Sequence, residues 1–507
     1  MEARVLVVGA GPTGLMLAGW LARLGVPALV VDKKDGPSRE TRALGVQART
    51  METYDMLGLG AEALAGGVPA RGFNMWVHHR HVGRLQFADM AADVSPHPYM
   101  FIFGQDKNEA MLLAHLRAHG GDVQWRTELV GLTQDDQGVA VTLKGPDGVL
   151  RVENVAWVCG CDGASSGVRH AVGVGFPGGT YEHRFFVADV GASGGLKPHE
   201  VNLCLDEARF GAFFPMPGEG RWRVVGMLEQ HLLDRQDLTF EDVRGDVEAH
   251  FPAKVTEVTW FSTYNVHHRV AEHFRVGRVF LLGDAGHIHS PAGGQGMNTG
   301  LMDATNLGWK LAMVCHGTTD DRLVWSYAPE REPFARQLVE TTDRAFSLVT
   351  SDNGLARFVR TGLAPGLFPI LTAIPAVRAE IFGVISQTRV NYRRGPISKG
   401  ALEGVQPGDR LPWVRFTDDY TNYDGLKDLA PRVHVYGELP AGLEDWVLGH
   451  PGLAIQKHPF TPEAARKGLR LNAVYLVRPD GYVGYAALRF SASELDAYLR
   501  DAWGYKL

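Results

Sequence analysis

The chain has 507 residues, 45% of them hydrophobic and 21% charged, with a net charge of −6. That length allows about three domains with large cores, and the interspersed charges exclude a basic stripe for nucleic acid or an acidic partner-binding tail. No stretch approaches the roughly 20 apolar residues of a membrane span, and the first strand begins at residue 4, so a cytoplasmic monomer or homodimer without a signal peptide is expected.

The first predicted element is the strand Val5-Leu6-Val7-Val8, which runs into the G-x-G-x-x-G turn Gly9-Ala10-Gly11-Pro12-Thr13-Gly14 and a Leu-rich helix. A second strand, Ala28-Leu29-Val30-Val31, ends at Asp32, 18 positions after Gly14. Strand, turn, helix and acid in this register form a dinucleotide-binding fingerprint. Gly9 makes the tight turn, Gly11 lets backbone approach a pyrophosphate, and Gly14 lets the helix pack on the sheet. The helix start at Pro12 and Thr13 favours anionic phosphate. Asp32 is placed to accept a hydrogen bond from a ribose hydroxyl and disfavours a 2′-phosphate; NAD and FAD both fit, and Lys33 is a further cofactor candidate.

Residues 71–100 carry the short aromatic strand Gly72-Phe73-Asn74-Met75-Trp76-Val77 and no glycine fingerprint. His78, His79 and His81 follow beside Arg80 and Arg84, a spacing that reads as a solvated strand face rather than a metal site. Further on, Ala156-Trp157-Val158-Cys159-Gly160-Cys161 is a strand ending in Asp162-Gly163, with small residues opening a helix; the Asp162 carboxylate can order water or backbone near a pyrophosphate. Its two cysteines read as small buried hydrophobes. Residues 176–275 repeat the aromatic pattern in Arg209-Phe210-Gly211-Ala212-Phe213-Phe214-Pro215 and Trp222-Arg223-Val224-Val225-Gly226-Met227, giving a second, antiparallel sheet.

A third glycine motif ends the strand Val279-Phe280-Leu281-Leu282 in Gly283-Asp284, where Asp284 is placed for a ribityl hydroxyl. The loop Pro291-Ala292-Gly293-Gly294-Gln295-Gly296-Met297-Asn298 follows and lets a flat ring lie close to backbone. From Met297 to Met313 the pattern is helical, its positive end at this loop. Residues 340–390 read as helical with breaks at Pro365, Pro369 and Pro375. The tail gives a strand at Val433-His434-Val435-Tyr436, a helix near Leu443-Glu444-Asp445-Trp446, a strand at Leu453-Ala454-Ile455, a hairpin from Val474 to Val483, and a last helix capped by Ser491-Ala492-Ser493-Glu494.

Taken in order, these three glycine motifs resemble the class A flavoprotein monooxygenases, the FAD-dependent aromatic hydroxylases. The resemblance is densest from Gly283 to Leu311. It implies an α/β fold: a Rossmann-like FAD-binding domain over residues 1–70, 101–175 and 276–390, interrupted by an antiparallel substrate domain over 71–100 and 176–275. The tail, 391–507, resembles the thioredoxin-like domain of phenol-hydroxylase and polyketide-hydroxylase members; no cysteine follows Cys315, so it cannot run disulfide chemistry. FAD is then held by Gly9, Gly11, Gly14, Asp32, Asp284 and the loop from Pro291 through Gly294 and Gly296 to Met297 and Asn298. Arg42 and Gln105 occupy positions where the family contacts FAD, and Asp162 one that touches FAD and a transient NADPH or NADH.

The family's chemistry is hydroxylation of an aromatic substrate by a flavin C4a-hydroperoxide formed with dioxygen. An apolar roof on the second sheet, with Trp76, Phe213, Pro215 and Met227, and the loop residues Pro291, Ala292 and Gly293, would line the substrate and keep water out; aromatic side chains on such a sheet are also ordinary core. No base that would deprotonate a phenol is identified. His267, His268 and Tyr264 are titratable residues with nothing further to assign them that role. A halogenase would carry W-x-W-x-I-P, whereas Trp222 is followed by Arg223-Val224-Val225. Baeyer–Villiger oxidation of a polycyclic ketone and simple sequestration of an aromatic ligand stay open.

Overall fold

Both faces of Val5–Val8 are apolar and buried, the signature of a central parallel strand. In the computed structural model, which describes residues 4–38, 43–91, 93–206, 209–290, 294–350, 367 and 373–506, this strand lies inside a six-stranded sheet. The order is Arg275–Val276, Val279–Leu281, Trp157–Gly160, Val5–Val8, Ala28–Asp32, Val123–Trp125. All pairings are parallel except that of the short edge strand Arg275–Val276. The strands that end in the three glycine motifs are therefore neighbours, although up to about 270 residues separate them in sequence. Helix Pro12–Arg23 packs against the later helix Gly296–Cys315, where Gly308 leaves room for the buried Trp20.

A second sheet has eight strands, ordered His287–Ile288, Ala253–Val270, Gly178–Gly194, Arg221–Met227, Arg209–Pro215, Val201–Asp206, Gly72–Val77, Arg80–Gln86. It draws on both aromatic stretches, and Val201–Asp206 pairs parallel with Gly72–Val77 while its other pairings are antiparallel. One face packs Trp76, Phe186, Phe213, Trp222 and Val224 under helix Glu241–His250 through Val243 and Val247. The opposite face meets the nucleotide-binding part: Phe73, Val201 and Phe214 pack with Leu44 and Ile102.

The tail forms a five-stranded sheet, Lys399–Gly400, Val483–Ala487, Val474–Val477, Arg432–Tyr436, Ala454–His458. The hairpin and both helices stand where the sequence places them, and Ser491 accepts from the Glu494 amide. The strand read at Leu453-Ala454-Ile455 runs on to His458 because it pairs residue by residue with Arg432–Tyr436 and, at the sheet edge, can carry the polar Gln456 and Lys457. Helix Pro375–Ile385 begins at its predicted proline; Pro365 and Pro369 lie outside the described residues. All four cysteines are buried thiols. His78 and His79 form the tip of a hairpin at positive φ, and among the described residues no three His, Cys, Asp or Glu side chains gather as a metal site. Likewise, no described helix is long and apolar enough to cross a membrane.

Candidate active site

Four strand ends converge on one edge of the six-stranded sheet, where ligands of open α/β sheets bind. Backbone bonds stitch them together: Gly9 N donates to the Val31 carbonyl (2.8 Å), Cys161 N to that of Val8 (2.7 Å), and Leu282 N to that of Gly160 (2.9 Å). Gly9 has φ +102°, and a side chain there would run into the Cys161 carbonyl. A Cβ on Gly14 would overlap the Gly9 carbonyl, whereas one on Gly11 would meet no atom within 4 Å. Helix and strand thus require Gly9 and Gly14, while Gly11 faces an open space at the helix start. Asp32 is buried at the same edge; Oδ2 accepts from Ala10 N (2.7 Å) and Oδ1 from Lys34 N (2.8 Å). Each oxygen keeps a lone pair for a further donor. Lys33 is exposed, and it is Lys34 Nζ that approaches Asp32 (3.9 Å) and Glu109 (4.0 Å).

Asp162 stands beside Gly9 but spends its carboxylate locally, accepting from Ser166 Oγ (2.5 Å) and Val168 N (3.1 Å), so it shapes the turn into helix Gly167–Ala171. Gln105 Oε1 accepts from Ala43 N (3.2 Å) and its Nε2 donates to Glu109 (2.9 Å), whose other oxygen holds Ser38 N (2.7 Å). These bonds fasten both ends of the segment that carries Arg42, itself outside the described residues.

Gly283 adopts φ +57° with Thr13 against its Cα, and Gly300 closes on the same hydroxyl, so Thr13 joins the first motif to the third. Asp284 is open to solvent between buried Gly283 and Ala285. Behind the turn lies Asp303, fully buried. Its Oδ2 accepts from Gly283 N (2.9 Å) and His287 Nε2 (2.7 Å), and its Oδ1 from Arg331 Nε (2.6 Å). Burial alone would raise this carboxyl, but Arg331 and His287 hold it below the usual range. Asn298 is also buried and saturated: Oδ1 accepts from Gln47 N and Thr50 Oγ1, and Nδ2 donates to the Gly45 and Gly294 carbonyls. Its side chain pins the Gly45 strand to the start of helix Gly296–Cys315. Gly294, at φ +63°, has open space where a Cβ would stand; Gly296 lies near His289, and Met297 accepts from Asn108. Pro291, Ala292 and Gly293 fall outside the described residues.

The predicted substrate wall needs correction. Side chains alternate faces along a strand, and Trp76, Phe213 and Pro215 take the phase that faces away from the nucleotide-binding part. Trp76 donates to Asn202 Oδ1 (3.1 Å), and Phe213 packs edge-on against Trp222 and Phe251. They are core beneath helix Glu241–His250. Met227 takes the opposite phase and packs with Phe185 and Tyr264. Between the eight-stranded sheet and the start of helix Gln105–Ala118 lies a cavity of about 300 Å³, lined by Leu44, Ile102, Asp106, Lys107, Met216, Pro217, Trp260 and the ion pair Arg223–Asp189. Arg223 Nε and Nη2 each donate to Asp189 at 2.7 Å, and its guanidinium lies 5.2 Å from the Trp260 ring centre. Arg223 and Asp303 were missed in the sequence. Alternation along Arg221-Trp222-Arg223 marks the first, and a polar residue amid an apolar helix marks the second. His267, His268 and Tyr264 do not line the cavity.

An FAD molecule fits this donor set: an open backbone site at Gly11 on a helix start, a solvent-facing Asp284, two lone pairs on Asp32, and the open space at Gly294. Comparison with known proteins agrees. A family model described as FAD binding domain matches residues 2–342. Pentachlorophenol 4-monooxygenase of Sphingobium chlorophenolicum is 30% identical over 86% of this chain and 80% of its own. The structure of OxyS anhydrotetracycline hydroxylase from Streptomyces rimosus superposes with a TM-score of 0.80 at 30% identity, covering all of both chains. Aklavinone-11 hydroxylase, solved with FAD and aklavinone, gives 0.78 at 27% identity over 99% of each chain. With its three glycine motifs on one sheet edge and these relatives along nearly its whole length, the chain belongs to the FAD-dependent aromatic hydroxylases, the flavoprotein monooxygenases that share this FAD-binding domain.

Proposed function

We propose that the chain hydroxylates a phenolic ring of a polycyclic compound held in the cavity between its eight-stranded sheet and the start of helix Gln105–Ala118, with NADPH or NADH as a passing reductant. The observation that carries this reading is the cavity itself. Its volume of about 300 Å³ stands at the lower end of the roughly 300–1,000 Å³ of small-molecule sites, and its wall joins apolar Leu44, Ile102, Met216 and Pro217 and the half-buried indole of Trp260 to the charged groups of Asp106, Lys107 and the Arg223–Asp189 pair. Bound FAD would supply the redox chemistry, taking a hydride and activating dioxygen. The protein's part is placement and dryness. Gly11 and the helix start receive the pyrophosphate, Asp32 the adenosine ribose, and Asp284 the ribityl chain. Trp260 offers the substrate a flat face, while Leu44, Ile102 and Met216 exclude water from the oxygen-transfer step.

That anhydrotetracycline hydroxylase and aklavinone-11 hydroxylase match over nearly the full chain favours a multi-ring substrate. The test is NAD(P)H oxidation by the FAD-loaded protein against matched panels of single-ring phenols and multi-ring aromatic polyketides. Stimulation by multi-ring compounds with hydroxylated product is expected; stimulation by single-ring phenols alone would refute the substrate class.

A further inference from the structure

Helix Gly296–Cys315 is mostly apolar, yet Thr299, Asp303, Asn306 and Lys310, spaced four, three and four residues apart, form one buried polar stripe. Two consecutive residues of helix Tyr327–Thr350 face it. Glu330 accepts from Lys310 Nζ (2.8 Å) and Asn306 Nδ2 (2.7 Å), and also from Arg478 Nη1 (2.7 Å) and Nη2 (3.0 Å), which reach across from the C-terminal sheet. Arg331 donates to Asp303 Oδ1, to the Thr299 carbonyl (3.1 Å) and to the Tyr392 hydroxyl (2.9 Å). Tyr392 in turn packs on Tyr482 of the C-terminal hairpin, ring centres 4.4 Å apart, with the Arg478 guanidinium over its ring at 5.2 Å.

We propose that Asp303 is a positioning residue for the cofactor, and that Arg331 and Tyr392 extend its grip on the Gly283–Asp284 turn into the C-terminal unit. One oxygen of Asp303 holds the turn through the Gly283 amide and His287; the other holds Arg331. A buried carboxylate shared in this way cannot rotate without leaving a charge or a donor unpaired. The turn therefore inherits the rigidity of the C-terminal unit, which braces the cofactor site from behind. This rests on the reading that FAD passes Asp284, since only then does the turn's position matter to the ligand.

The test uses the full-length protein, stripped of flavin, and measures FAD affinity by flavin fluorescence, the absorption and circular dichroism of bound flavin, and apoprotein melting. Tyr392→Phe removes one hydrogen bond to a buried cation. Tyr436→Phe is the matched control, a fully buried tyrosine whose hydroxyl accepts from Asn422 (2.8 Å) within the C-terminal unit. Both should melt a few degrees lower. Tyr392→Phe should also weaken FAD binding by about fivefold or more and alter the bound flavin's circular dichroism, with the control shifted by less than about twofold. Asp303→Asn sets an amide against the Gly283 N–H and should weaken binding further, by about thirtyfold, where it folds. Equal effects of Tyr392→Phe and Tyr436→Phe on affinity would overturn the brace and leave the cofactor site intact. A parent protein that binds FAD with Gly283→Ala and Asp284→Ala indistinguishable from it would overturn the cofactor reading and the brace together.

Discussion

Two glycines three residues apart make opposite demands on this molecule. Gly14 has no room for a methyl group because the Gly9 carbonyl occupies that position, while Gly11 has an open space. Gly14→Ala should destabilise the apoprotein by about 2 kcal/mol or more through overpacking, visible as a lowered denaturant midpoint. Gly11→Ala should leave the apoprotein midpoint unchanged and weaken FAD binding by at least about tenfold, since the added methyl enters the pyrophosphate's place. Loss of stability in the second variant, or retained affinity, would contradict the role assigned to Gly11. These glycines were legible in the sequence because a tight turn leaves so few choices of residue. Asp162 shows the limit: its motif was plain, but only three-dimensional placement reveals Ser166 and Val168 as its partners.

At the scale of elements, the eight-stranded sheet presents different chemistry on its two faces, and a shift of one residue exchanges them. Phe213→Ala should cost about 3–5 kcal/mol of stability, as for a large core side chain, with little change in the yield of product per NAD(P)H in the folded fraction. Trp260→Ala, at the cavity, should raise peroxide release at the expense of hydroxylation; equal coupling in the two variants would remove Trp260 from the substrate wall. Aromatic strands were visible in the sequence, but which of their faces meets the nucleotide-binding part was not, because large apolar side chains stand on both, as Phe213 and Phe214 do, and only the position of helix Glu241–His250 decides which face it covers. Helix Gln105–Ala118 carries a pH-dependent contact of its own. His115 packs against Gly19 of helix Pro12–Arg23, and burial, with His119 and Arg23 adding, lowers its pKa from 6.5 to about 4. Between these values the unfolded chain binds a proton that the folded chain does not. Stability contributed here is complete above pH 6.5 and falls as the pH drops toward 4, by about 3 kcal/mol in all. In urea titrations, His115→Leu should flatten this acid slope by about one proton; an unchanged slope would place the titration elsewhere.

Across the whole molecule, three motifs spread over most of the chain come together because parallel strands lay their carboxyl ends on one edge. Each strand-turn-helix pattern was legible by itself, and the resemblance to the flavoprotein monooxygenases implied that they belong to one domain. What joins the C-terminal unit to it could not, since Arg478 with Glu330 and Tyr392 with Arg331 are contacts between distant segments without a local pattern. The cavity beside the eight-stranded sheet is likewise a product of packing, and it carries the catalytic proposal. The most direct test is oxygen-18 labelling: FAD-loaded protein, NAD(P)H and a multi-ring phenol under labelled dioxygen. One labelled oxygen per hydroxylated product, with NAD(P)H consumed in equal amount, is predicted. Unlabelled product, or FAD-loaded protein that consumes no NAD(P)H across the aromatic panel, would contradict the assignment.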